Sequence, residues 1–212
     1  MPLNDLERPR RPPVVTRLLI AANALVWIYV LTFAGDPSAV SAFYDRWSFD
    51  LATPTVVTLL SHQFVHAGWL HLLGNLLYLW IFGDNVEDRM GRGRFLVFYL
   101  LAGAIAAVGQ GLVSPGPMVG ASGAIAAVLG AYVVVSPGAK IRTLIFLGIF
   151  ITVVTLPAVV VIGEWIVIQV ISGLSAMRIT QYSATATVAY AAHVFGFASG
   201  ILLARAFGAG RR

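Results

Sequence analysis

Residues 95–139 have the sequence FLVFYLLAGAIAAVGQGLVSPGPMVGASGAIAAVLGAYVVVSPGA and contain no charged side chain. The run is about twice as long as the ~20 residues that one membrane-spanning helix needs. Proline and glycine interrupt it at 114–117 and close it at 136–138, and such clusters mark turns rather than helix. We therefore predict two consecutive membrane spans, at 95–113 and 118–135.

The composition of the whole chain indicates an integral membrane protein. Hydrophobic residues make up 58% of the 212 residues, charged residues make up 11%, and the mean hydropathy is +0.85. A soluble domain carries roughly 25% charged residues, so a soluble domain, a disordered chain and a basic nucleic-acid-binding face are excluded despite the net charge of +5. The sequence has no cysteine, which excludes a disulfide framework, thiolate zinc sites and a cysteine nucleophile.

Four further apolar segments complete a predicted bundle of six membrane-spanning helices. The stretch 144–155 is interpreted as a lead-in to the fifth span or as an extension of it. An interfacial helix is expected at about 44–51, in the loop between the first two spans. The fold class is therefore predicted to be an all-α polytopic membrane protein. Its six spans are 18–34, 66–83, 95–113, 118–135, 156–172 and 188–207.

The lysine and arginine residues set the predicted orientation, because these residues accumulate on the cytoplasmic side of a membrane. With the N-terminus inside, six spans place twelve of the fourteen on the inside and only Arg46 and Arg178 on the outside. Both termini are therefore expected in the cytoplasm. We divide the chain into a flexible cytoplasmic arm at 1–15, a membrane domain at 16–207 and a cytoplasmic tail at 208–212. Compactness and the lack of a transit peptide favour a bacterial inner membrane.

Polar side chains from three of the spans coincide in depth. His71, Ser122 and His193 each lie about four or five residues into a span that runs from outside to inside. At a rise of about 1.5 Å per residue, they share one level below the outer surface. Asn75 follows His71 by four residues and projects from the same helix face. Polar groups at membrane depth are costly and usually functional, so the four residues predict a site between helices.

Serine and histidine chemistry fits this level of the predicted bundle. A serine hydroxyl is a weak nucleophile that needs a base within hydrogen-bond reach. His193 is the histidine on a separate buried helix, and histidine is the usual base near neutral pH. Glycines at 120 and 123 let a substrate approach the backbone beside Ser122. Gly196 and Gly200 form a small-xxx-small pattern that permits close contact between the fourth and sixth spans.

Acyl transfer also needs hydrogen-bond donors for the developing oxyanion. The candidates are the His71 ring, the Asn75 amide and the backbone N–H of Ser122. Aspartate and glutamate are missing from this level, so the sequence predicts a Ser–His dyad rather than a triad.

Three sequence elements together resemble the rhomboid family of intramembrane serine proteases. The resemblance covers the six-span core, roughly 16–207, with the order and spacing of the elements preserved. The elements are His62-x-x-x-His66 followed by Gly68-Trp69-Leu70-His71-Leu72-Leu73-Gly74-Asn75, then Gly120-Ala121-Ser122-Gly123, then Ala192-His193-x-x-Gly196-x-x-x-Gly200.

The resemblance implies an activity and its participants. Ser122 would be the nucleophile and His193 the general base, with the oxyanion held by His71, Asn75 and the Ser122 amide. The substrate would be a single-pass transmembrane helix, cut near its outer end through an acyl-enzyme. No cofactor, metal or nucleic acid would take part, and the lipid bilayer would be the other partner.

Two departures from the family pattern bear on the site. Some members carry a tyrosine one turn after the nucleophile, against the catalytic histidine, where this chain has Ala126. Tyr190 is a candidate to hold His193 instead. The Trp-Arg pair common in the first outer loop is reversed here as Arg46-Trp47, so no role is carried over for it.

Other interpretations of the same residues stay open. His62 and His66 have the i, i+4 spacing of zinc ligands, but fixing the outer loop by hydrogen bonds is the favoured role. Glu164 is interpreted as a water-facing carboxyl, with a gate or substrate contact as the alternative. A catalytically silent relative that binds membrane clients and a small histidine-relay transporter are the rival functions. The sequence does not give the substrate, the oligomeric state or the entry path.

Overall fold

The computed structural model describes residues 1–147, 150–179 and 189–208, and within them the chain forms a helical bundle with one small sheet. The helices are α1 (Val14–Leu31), α2 (Pro37–Trp47), α3 (Val56–Ser61), α4 (Trp69–Met90), α5 (Arg92–Val113), α6 (Ser122–Val135), α7 (Ala158–Ile179) and α8 (Tyr190–Ala206), with a 3₁₀ turn at His62–Phe64. The strands are β1 (Pro2–Asp5), β2 (Lys140–Leu147) and β3 (Phe150–Pro157). The predicted tail beyond 208 and the start of the sixth predicted span at 188 lie outside the described residues.

Three of the described helices, α1, α5 and α7, are long and apolar enough to cross a bilayer. The pair α3 and α4 is bent by 90° and makes a fourth if it counts as one broken span. Helix α6 is apolar but has only 14 residues. The helical segments match the predicted spans in order, whereas the count of six spans stays a prediction.

The segment between α6 and α7 corrects the prediction of helix throughout the membrane domain. Residues 144–155 were expected to lead into or extend the fifth span, but the described part of this stretch, 144–147 and 150–155, belongs to the antiparallel strands β2 and β3. The reason is composition: β2 and β3 are rich in valine, isoleucine, threonine and phenylalanine, which fit a pleated sheet better than a helix. Apolar length alone does not separate the two structures.

The N-terminal segment, which was predicted to be a flexible arm, contains the short strand β1. Strand β1 pairs antiparallel with β2, with Asp5 opposite Ile141, so the sheet has the order β1-β2-β3. The Asp5 carboxylate accepts hydrogen bonds from Asn85 Nδ2 at 2.6 Å and from the Tyr132 hydroxyl at 2.8 Å. Burial raises the pKa of the Asp5 carboxyl to about 6. These contacts tie the sheet to α4 and α6.

The segment predicted as the first outer loop likewise contains a helix in a different place from the one expected. The helix α2 ends at Trp47, whereas the interfacial helix was predicted at about 44–51. Asp36 fixes its start, since its carboxylate accepts the backbone N–H groups of Ser38 and Ala39, as an N-cap residue does. At the other end, the backbone of Phe49 pairs with that of Met118, which links this loop to the segment before α6.

Helix α6 is the centre of the bundle. Every residue from Gly123 to Tyr132 is buried, and the helix packs against α4, α5 and α8. Its contact with α8 depends on small residues, because a Cβ added at Gly196 would overlap the carbonyl oxygen of Gly123 and one at Gly200 would overlap that of Ala127. The backbones of α6 and α8 therefore approach as closely as the predicted small-xxx-small pattern requires.

Glu87 of α4 caps the start of α1 from another helix. Its buried carboxylate accepts the backbone N–H of Val15 at 3.0 Å, the backbone N–H of Thr16 at 2.7 Å and the Thr16 hydroxyl at 2.8 Å. The residue before α1 is Pro13, which makes no side-chain cap. Glu87 therefore satisfies helix N–H groups that would otherwise be buried without partners.

Glu87→Gln is expected to destabilise the protein by about 1–2 kcal/mol, because the amide keeps the size but loses the charge and one acceptor oxygen. Thermal unfolding in detergent measures the effect. Asp36→Asn is the matched control, since Asp36 caps an exposed helix and the change should cost much less. An unfolding midpoint for Glu87→Gln equal to that of the wild type would contradict the capping role.

Candidate active site

The side chains singled out from the sequence lie near the N-terminal ends of three helices. His71 is the third residue of α4, Ser122 is the first residue of α6, and His193 is the fourth residue of α8. Asn75 lies one turn further along α4 than His71. Asn75 and His193 are each 8% exposed, and Ser122 is partly buried. The side chains therefore sit where helix starts present backbone N–H groups.

Gly120 brings His71 and Ser122 into one small space. Its φ of +125° lies in a region that side chains rarely adopt. A Cβ at this position would lie 2.7 Å from His71 Nε2 and 3.7 Å from Ser122 Oγ. The Gly120 N–H donates to the backbone carbonyl of His62 at 2.8 Å, which holds the turn. The imidazole and the hydroxyl thus flank a position that only glycine leaves open.

His66 connects Asn75 to this space. The Asn75 amide nitrogen lies 2.9 Å from His66 Nε2, and the rings of His66 and His71 are 5.0 Å apart, edge to face. The backbone carbonyl of His66 accepts the Tyr44 hydroxyl at 2.7 Å, which fixes the loop from α2. His62 Nδ1 is engaged elsewhere, 3.0 Å from the Thr58 carbonyl of α3.

His193 is held from α7. Its Nδ1 lies 2.6 Å from Gln169 Oε1, and its ring is 5.5 Å from that of Trp165. Tyr190, the candidate from the sequence, contacts the ring edge-on at 6.5 Å. In the described chain no hydrogen bond joins Ser122 to His193, and catalytic pairs are often longer without substrate than with it. The dyad therefore stays a prediction at this point.

Helix α8 is positioned by a buried amide of α5. Gln110 Oε1 accepts the backbone N–H of Ala192 at 3.1 Å, so it caps the turn that carries His193. Helix α6 approaches the same turn, since a Cβ added at Gly123 would lie 3.7 Å from the Ala192 Cβ. The residues around Ser122 and His193 thus belong to one packed interface between α5, α6 and α8.

The profile of the family described as the Rhomboid domain matches residues 53–210. The chain belongs to the rhomboid family. The matched range includes α4, α6 and α8, which carry the predicted site residues. Together with the long apolar helices, the match identifies a multi-pass membrane protein.

Curated relatives agree with this rhomboid assignment. The chain is 36% identical over 126 residues to rhomboid protease GluP of Bacillus subtilis (strain 168), covering 58% of this chain and 25% of that protein. It is 29% identical over 125 residues to rhomboid protease GlpG of Photorhabdus laumondii, covering 59% and 43%. GlpG of Yersinia pestis (strain Pestoides F) is 27% identical over 124 residues, covering 58% and 43%. The aligned part thus spans less than half the length of each of these relatives.

Two polar residues of the rhomboid site, Gln169 and Gln110, were missed from the sequence. The sequence prediction rests on histidines, carboxylates and motif residues and includes no lone amide. A glutamine inside an apolar span is itself a signal, because an amide in hydrocarbon needs a partner. Glu164, the intramembrane carboxyl singled out from the sequence, is exposed on α7.

Proposed function

We propose that the chain is an intramembrane serine endopeptidase that uses Ser122 as nucleophile and His193 as general base. The observation that carries the proposal is the placement of Ser122 and His71 on either side of Gly120, at the packed interface with the helix that bears His193. Family membership supports a protease among rhomboid relatives. The dyad, the oxyanion donors and the location of the cut are all parts of the proposed function.

The proposed reaction proceeds through an acyl-enzyme. Ser122 Oγ attacks the carbonyl carbon of the scissile peptide bond while His193 Nε2 takes its proton. The imidazolium then gives that proton to the leaving amine as the C–N bond breaks. A water molecule, deprotonated by His193, attacks the ester and releases Ser122. The reaction needs no cofactor or metal ion.

The oxyanion is proposed to bind between α4 and the start of α6. The His71 ring and the Ser122 side chain lie beside the same position at Gly120, the Ser122 backbone N–H belongs to the free N–H groups at the start of α6, and donors fixed in advance stabilise developing charge effectively. Asn75 contributes its amide directly or, through the 2.9 Å contact with His66, helps to fix the histidines around it.

The substrate is proposed to be a single-pass transmembrane helix cut near the outer membrane face. The arginine and lysine distribution supports six spans with both termini in the cytoplasm, in a bacterial inner membrane. A helical amide is shielded, so the substrate must unwind near the cut, and residues with low helix propensity lower that cost. Entry of the substrate past α7 is supported by the exposure of this helix. Only 17% of its apolar 18-residue segment is buried, compared with 50% for α5.

A serine-reactive fluorophosphonate tests this proposal on the purified full chain in detergent. We expect one adduct, mapped by peptide mass spectrometry to Ser122, because an activated hydroxyl reacts far faster than an ordinary one. The heat-denatured chain is the control and should not label. A native chain that does not label, or that labels as its denatured form does, would overturn the proposal and favour a silent relative that binds membrane clients.

A further inference from the structure

Two side chains of α7 lie against His193 from one face of that helix. Trp165 packs on the imidazole with ring centroids 5.5 Å apart, and Gln169 Oε1 lies 2.6 Å from Nδ1. The two residues are four positions apart, so they project from the same side of the helix. Val167, two positions from each of them, is 55% exposed, which places it on the opposite, outward side.

The hydrogen bond fixes which nitrogen of His193 carries the proton. A glutamine Oε1 is an acceptor, so the Nδ1 that contacts it must be the N–H donor. The neutral ring then keeps a lone pair at Nε2, which is the form a general base needs toward a serine hydroxyl. In other Ser–His enzymes an acidic side chain usually supplies this acceptor, whereas in this chain an amide occupies the place.

The free-energy cost of an amide in an apolar helix also supports a role for Gln169 at His193. A neutral amide in an apolar environment is unfavourable unless it is hydrogen-bonded. The place against the ring that other family members fill with tyrosine is Ala126 here, whose side chain ends at Cβ and has no acceptor.

We propose that Gln169 is a positioning residue that orients His193 and fixes its tautomer, as the third member of the catalytic group. The inference rests on the proposed protease function. It also makes the competence of His193 depend on the position of α7, because the contacts of Trp165 and Gln169 with the ring both come from that helix.

The test measures fluorophosphonate labelling of Ser122 as a function of probe concentration, using the purified full chain. Gln169→Met keeps the length and volume of the side chain but removes the acceptor, and Gln169→Glu keeps the acceptor. We expect the maximal labelling rate of Gln169→Met to fall roughly tenfold, the effect of one hydrogen bond, with the half-saturating probe concentration unchanged. Gln169→Glu should keep at least half of the wild-type rate.

Ser175→Ala is the matched control on α7, because the Ser175 hydroxyl donates to the Ile171 carbonyl of its own helix. It should label as the wild type does, and the unfolding midpoints of all variants are compared. Equal labelling of Gln169→Met and wild type would overturn the inference alone, as would equal losses in the Met and Glu variants. A wild-type chain that does not label would overturn the proposed function, and the inference with it.

Discussion

Ser122→Ala is expected to lower the cleavage rate of a co-reconstituted transmembrane substrate by roughly 10⁴-fold or more, to the level of the uncatalysed background. His193→Ala should cost about as much, because a nucleophile and its base act as a unit. The measurement is product formation in vesicles, with a substrate helix that carries small, helix-breaking residues near its outer end. The double variant should be no slower than either single variant, since the first change already removes the covalent route.

The controls for this result separate chemistry from folding. Ser199→Ala changes another serine of the site's helices, whose hydroxyl bonds to the Gly196 carbonyl within α8, and it should retain most of the activity. Ser122→Ala should unfold at the wild-type temperature, because it removes one oxygen from a partly buried position. Residual cleavage by Ser122→Ala within tenfold of the wild type would show that another group performs the attack.

The placement of the candidate residues near helix starts could be predicted from the sequence because depth and spacing carry the information. His71, Ser122 and His193 each follow the start of an apolar segment by a similar number of residues, and the structure has all three near the starts of α4, α6 and α8. Turn residues before Ser122 indicated where α6 begins, although the helix starts at 122 rather than 118. The glycines of α8 indicated which helix would pack closely against α6.

Contacts that join distant segments could not be predicted in the same way. The carboxylate of Glu87 caps a helix 71 residues earlier in the chain, and no local pattern marks the partner. Gln169 is an isolated amide, and its importance appears only when α7 is placed beside His193. The hairpin at 140–157 was missed for a different reason, because an apolar run in a membrane protein was interpreted by length and not by β-propensity.

Gly196→Ala is expected to push α8 away from α6 and to disrupt the site. A single added methyl group would overlap the carbonyl oxygen of Gly123, a backbone atom that cannot rotate away. Overpacking of this kind costs about 1–3 kcal/mol. Because Gly196 is three residues from His193, the shift also displaces the imidazole, and a displacement of about 1 Å can cost roughly 100-fold in rate. Cleavage rates and thermal unfolding midpoints measure both effects.

Two further glycines make this prediction specific. Gly163→Ala adds the same methyl group to α7, where, among the described residues, nothing beyond its chain neighbours and the nearby backbone of the helix lies within 4 Å of the new Cβ, so stability should hold or rise by up to about 1 kcal/mol. Gly200→Ala overlaps the backbone of Ala127, one turn farther from His193 than Gly196. It should therefore destabilise the bundle about as much as Gly196→Ala while lowering the rate less. If both variants lose the same activity, the loss comes from general unfolding, and the close approach at Gly196 has no separate role in placing His193.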